Sequence, residues 1–204
     1  MARIGGRNLW IAVPAGLLCA GIVGALVYLA VPMVPSVVAW TGDTLRDATT
    51  RAAEVTAEPS PAQIAASEDL DCRALYPDRL WSEMVWRGDV LLTQDYAPPV
   101  TATPGLVEAA SPTVRVACAW RTESGESVVS TLAVVDPAAG EAAAQMLGAN
   151  SFACAEGFGG LSCSRERGSV VESHVFSGGL WLSSVETRWH PEDYATRLAA
   201  HVWR

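Results

Sequence analysis

No charged residue stands between Arg7 and Asp43, so Asn8 to Gly42 is an uncharged run of 35 residues rich in Ala, Val, Leu, Ile and Gly. Such a run dominates the reading of the whole chain, because about 20 apolar residues suffice to cross a bilayer core. Pro32 and Pro35 interrupt its second half, which places the expected spanning helix at Leu9 to Val31 with Pro14 as a tolerated early kink. Arg3 and Arg7 precede the run, while every acid and all other arginines follow it. The positive-inside rule then predicts a cytoplasmic N-terminus at 1–8, an anchor with its outer interfacial segment at 9–40, and an extracytoplasmic remainder. Trp10 and Trp40 suit the two membrane interfaces. The competing reading is a cleavable signal ending near Val37-Val38-Ala39, but signal cores run about 7–15 residues and this one is far longer. Cys19 follows Gly16-Leu17-Leu18, without the small residue that should precede a lipid-modified cysteine, and reads as an ordinary membrane residue.

Charge narrows the range of partners. The fourteen basic residues are all arginine and are scattered, against twenty-two acids, for a formal net charge of -8. The part after the anchor carries twelve arginines and all twenty-two acids, a net of -10. A nucleic-acid partner is excluded on that balance, which favours basic partners instead.

Export brings the chain to an oxidising compartment, where Cys72, Cys118, Cys154 and Cys163 form an even set with three possible pairings. Cys154 with Cys163 is favoured, because the glycines between them let the chain turn back; Cys72 would then join Cys118. A zinc site is disfavoured by the absence of any C-x-x-C pair.

Residues 41–67, rich in Ala, Thr, Glu and Pro with weak apolar periodicity, read as a stalk. Residues 68–204 read as the folded domain. Leu70 to Leu75 and Arg79 to Trp86 look like short helices, the second capped by Asp78. Pro98, Pro99, Pro104 and Pro112 make Thr93 to Pro112 an expected long loop. Val114, Val116, Cys118 and Trp120 alternate with Arg115, Ala117, Ala119 and Arg121, the period of a half-buried strand. A turn at 122–126 leads to a second strand, Ser127 to Val135, and Asp136-Pro137 opens a helix over Ala138 to Leu147 that Gly148 stops. Phe152 to Cys163 is an expected bridged hairpin, followed by strands at Ser169 to Phe176 and Leu180 to Arg188. A last helix begins at Pro191, with Tyr194, Leu198 and Val202 on one stripe. The expected fold class is α+β, an antiparallel sheet packed with helices on one face.

Asp71-Cys72-Arg73-Ala74-Leu75, and Cys118-Ala119-Trp120 running into a turn at Gly125, resemble a group of actinobacterial exported cell-envelope domains of unknown function. The likeness spans about Asp71 to Val135. It implies a disulfide between Cys72 and Cys118 and brings no catalytic residues.

Few residues suggest chemistry. His174 follows Glu172 by two in a strand, on one face, as a carboxylate-oriented base would; a solvated or hydrogen-bonded pair is the plainer reading, since nothing marks a nucleophile and no G-x-S-x-G occurs. His190 and His201, if on one helix, would stand about 16 Å apart and could not share a metal. Gly157-Phe158-Gly159-Gly160 lacks a following lysine and reads as a turn rather than a phosphate loop. No calcium-loop spacing occurs, so no metal or cofactor is expected. Among the tryptophans, Trp120, Trp189 and Trp203 read as core, whereas Trp81 and Trp86 are the candidate contact surface. The functional expectation is a non-enzymatic, membrane-anchored extracytoplasmic domain that binds or senses an envelope protein or glycan. The alternatives are an envelope hydrolase or transferase using His174 and Glu172, and a glycan-binding module.

Overall fold

The structure, a computed structural model, describes residues 9–30 and 59–204. The chain divides into two units, Met1–Glu58 and Pro59–Arg204. The first contains helix α1, Leu9–Ala30, 22 residues with Pro14 inside. Among the described residues no helix is long and apolar enough to cross a membrane. The expected outer interfacial segment and positions 41–58 of the expected stalk lie outside the described residues.

The second unit starts earlier than Glu68. Ser60 and Gln63 form a reciprocal capping box, Pro61 occupies the first turn, and helix α2, Pro61–Ala65, results. Ala65 is fully buried, so this segment belongs to the folded unit. Helices α3, Cys72–Leu75, and α4, Asp78–Val85, follow. Pro77, not Asp78, is the N-cap of α4; Asp78 lies in the first turn and pairs instead with Arg73.

The expected loop from Thr93 to Pro112 is more structured than its prolines suggest. Strand β1, Val90–Asp95, enters it and pairs antiparallel with β2, Thr113–Thr122, while helix α5 occupies Leu106–Ala110. The prolines fall between these elements, and five residues are too few to show a helical period. The chain continues through β3 (Ser127–Val134), α6 (Ala139–Ala149), β4 (Ala153–Gly157), β5 (Gly160–Arg167), β6 (Val170–Ser177), β7 (Leu180–Thr187) and α7 (Tyr194–Val202). The strands form one antiparallel sheet in the order β1-β2-β3-β7-β6-β5-β4.

Helices cover both faces of this sheet, not one. On the first face Val116, Cys118, Trp120, Leu132, Leu180 and Leu182 pack with residues of α2, α3, α4 and α7, including Leu75, Leu80 and Leu198. On the second, Phe176 and Trp181 pack with Leu106 of α5 and Leu147 of α6. Neighbouring residues Trp181 and Leu182 belong to different cores because strand side chains alternate between faces. A sheet apolar on both sides requires two covers.

Two disulfides staple this arrangement. Cys72–Cys118 spans 46 residues and ties α3 to β2 from inside the first core. Cys154–Cys163 spans nine and joins directly opposed residues of β4 and β5. A disulfide typically contributes about 2–4 kcal/mol.

Candidate functional site

His174 and Glu172 do meet on the second face of β6, and the fold closes around them. His174 is fully buried and Glu172 nearly so. His174 Nε2 lies 2.9 Å from Glu172 Oε1, and the Trp181 indole N–H donates to His174 Nδ1 at 3.2 Å. An indole nitrogen can only donate, so Nδ1 is the acceptor and Nε2 carries the ring proton toward the carboxylate. The same Oε1 accepts from Thr101 Oγ1 at 2.6 Å and from the Ala102 N–H at 3.0 Å, while Arg165 Nη2 reaches Oε2 at 3.0 Å. Burial by itself would raise the Glu172 pKa; hydrogen bonds from His174, Thr101 and Ala102 outweigh it and hold the value at about 2. Arg165 also donates to the Asn150 carbonyl and lies over the Phe152 ring, 4.3 Å from its centroid. Both imidazole nitrogens are thus engaged inside the protein.

Thr101, Ala102, Arg165 and Trp181 were not visible as partners in the sequence. Arg165 stands opposite Glu172 across β5 and β6, and Phe176 opposite Trp181 across β6 and β7. Those pairings were readable only once the register was known. Thr101 and Ala102 come from the proline-bearing segment, which also supplies the Val100 carbonyl to Ser183 Oγ at 3.1 Å.

The two candidate tryptophans part company. Trp81 is half-buried, edge-on to Trp120 at 5.3 Å, with the Arg73 guanidinium over its ring. Trp86 is 85% exposed. Five residues along a helix rotate a side chain by about 140°, so both cannot share one face. His190 is exposed and precedes α7, so the helix-based separation from His201 does not apply; His201 Nε2 lies 3.2 Å from the Ala74 carbonyl, and burial lowers its pKa. Among the described residues no group of three or more His, Cys, Asp or Glu could hold a metal ion.

Trp86 has company. Among the described residues of the second unit, the exposed large hydrophobics are Val85, Trp86, Leu91, Tyr96 and Val100, all within sixteen positions on and beside β1. Strand β1 is an edge of the sheet and carries no proline, lysine or bulge to blunt it; its one charge, Asp95, stands at its end.

A groove of about 1000 Å³ opens elsewhere, at the end of the sheet where the β4–β5 and β6–β7 hairpin tips face the first turns of α6. Phe176, Leu161 and Leu180 contribute apolar surface; Asp136 and Glu141 stand on the helix side and Glu156 on the hairpin side. Ser177 Oγ donates to the Phe158 carbonyl at 2.9 Å, joining the two tips.

No protein-family model, curated protein or solved structure matches the chain.

Proposed function

We propose that the chain is a membrane-anchored extracytoplasmic binding domain that engages an envelope protein through the apolar collar around β1. The observation that carries this reading is the concentration of Trp86, Leu91, Tyr96 and Val100 on and beside an open sheet edge. Exposed apolar side chains gathered in one stretch of chain are candidate contact residues, and an unpaired strand edge offers main-chain donors and acceptors to a partner strand. Support for the anchor comes from the sequence, in which Arg3 and Arg7 precede an uncharged run of 35 residues, Asn8 to Gly42.

A hydrolase or transferase built on His174 and Glu172 would need an imidazole nitrogen free to move a proton. Here both are committed to internal partners, which favours a positioning role for this pair. His174→Ala is expected to lower stability while leaving partner capture intact at temperatures where the variant is folded.

The test is site-specific photo-cross-linking in intact cells, with the probe placed at Trp86 or Leu91 and, as a control, at exposed Glu166 on β5. The expected result is a discrete adduct from the first two positions that disappears when the other is replaced, as in Leu91→Glu. Equal labelling from all three positions would end the proposal. Trp86 at 85% exposure also suits stacking on a sugar ring; retention on purified envelope polysaccharide that is lost in Trp86→Ala alone would favour that second reading.

A further inference from the structure

The groove beside α6 is distinct from the β1 collar, and its construction says what it would accept. Its volume, about 1000 Å³, is at the upper end of the range of roughly 300–1,000 Å³ in which proteins bury ligands. Its walls are unusually bare. Gly178 and Gly179, at φ of 59° and 75°, form the tip of one hairpin, a conformation that suits a two-residue turn and that L side chains rarely adopt. Gly160 is fixed for a different reason: a Cβ there would stand 2.1 Å from the Phe176 carbonyl oxygen, so glycine lets β5 lie close against β6. Walls without side chains leave backbone amides and carbonyls within reach of another main chain.

The rim is fixed as well as bare. Phe158 holds a left-handed backbone at φ 53°, costly for an aromatic residue, and its ring packs near Trp203 while its carbonyl accepts from Ser177. Charge on the rim has one sign. Asp136, Glu141 and Glu156 line the groove and no Arg or His does. Asp136 Oδ1 caps its own turn at the Ala138 N–H, whereas among the described residues Glu141 and Glu156 have no ion-pair partner. The floor beneath this acidic rim is apolar, with Phe176 and Leu180 buried.

We propose that this groove is a docking site for an extended, positively charged peptide segment, its main chain lying along the glycine-lined tips and its basic side chains meeting Glu141 and Glu156. The inference rests on the reading of the chain as a binding domain and assigns it a second contact, separate from the collar. Electrostatic complementarity would set the partner's sign, and the apolar floor would take an aliphatic side chain between the basic ones.

The test uses the full chain in detergent with fluorescein-labelled Arg-Gly-Leu-Arg, its acidic counterpart Glu-Gly-Leu-Glu, and spermidine as competitor. The basic peptide is expected to bind at least about tenfold more tightly than the acidic one, with affinity falling as salt rises. The double variant Glu141→Gln, Glu156→Gln should weaken it by about tenfold, and Ala144→Trp, which fills the groove from α6, should abolish it, both with unchanged melting temperature. Equal binding of the two peptides, no binding at about 1 mM, or displacement by spermidine at the same concentration as by unlabelled peptide would overturn the proposal. Loss of peptide binding with the Leu91 adduct retained removes only this inference; loss of both removes the binding reading itself.

Discussion

Glu172 and Glu186 lie on adjacent strands, β6 and β7, on opposite faces of the same sheet, and both are at least nine-tenths buried. Their carboxyls nevertheless titrate in opposite directions. Glu172 receives four donors and is held at about 2; Glu186 has only His190 Nδ1, 3.5 Å away, facing it among the described residues, and is raised by burial to about 7. Burial is the same disadvantage for both charges, and the supply of donors decides which one ionises. The donors are Thr101 and Ala102 of the proline-bearing segment, Arg165 on β5 and His174 on β6 itself. The first face near Glu186 offers apolar surface and the buried Tyr194 hydroxyl, already engaged with Tyr76 and Ser130 at 2.8 Å each.

The contrast can be broken most severely at Glu172. Glu172→Ala leaves Arg165 without its carboxylate and frees the segment through Thr101, and should cost about 3–5 kcal/mol, read as a fall in Tm and as new proteolytic cleavage between Asp95 and Leu106. A fall below about 1 kcal/mol would mean the network is not a clasp. Acid should act in the same direction. Because the folded pKa of Glu172 is depressed, its stabilising effect is present above the unfolded value of about 4.5 and is lost as pH falls toward about 2. Thermal melts across that window should decline in the parent and much less in Glu172→Gln. Thr101→Val removes one donor from a carboxylate that keeps three others, and an equilibrium unfolding measurement should show a loss of about 1–2 kcal/mol.

Glu186 sharpens the contrast with the smallest effect and the opposite sign. Its folded pKa is raised, so between about 4.5 and about 7 the folded state holds a proton that the unfolded state has released, and stability falls as pH rises through that window. Glu186→Gln should therefore stabilise at pH 8 by on the order of 1 kcal/mol and do little at pH 4. Destabilisation at pH 8 would show that the His190 contact matters more than desolvation.

Much of this fold was legible from period and punctuation. The alternation through Val116, Cys118 and Trp120 marks β2, the glycine pair at 178–179 marks the β6–β7 turn, and the stripe of Tyr194, Leu198 and Val202 is the buried face of α7. Elements lacking such a signal were missed. Strand β1 presents three apolar residues in a row at an edge, α5 is one short turn, and the capping box at Ser60 lies in a segment whose composition suggests a stalk. The candidate site was only half legible. A spacing of two put His174 and Glu172 on one face, but nothing local foretold that Trp181, seven residues on, would fill the second imidazole nitrogen. The groove has no sequence signature at all, because two hairpin tips and the first turns of α6, separate segments of the chain, make it.

The uncharged run from Asn8 to Gly42, the cysteine set and the alternating strands follow from the sequence by itself, because apolar length, residue identity and period are local properties. Which carboxylate is ionised, which tryptophan is exposed and where a partner could lodge were decided by the tertiary structure. Those properties depend on donors, covers and open edges that strand register and helix packing bring from positions as far apart as Thr101 and Glu172.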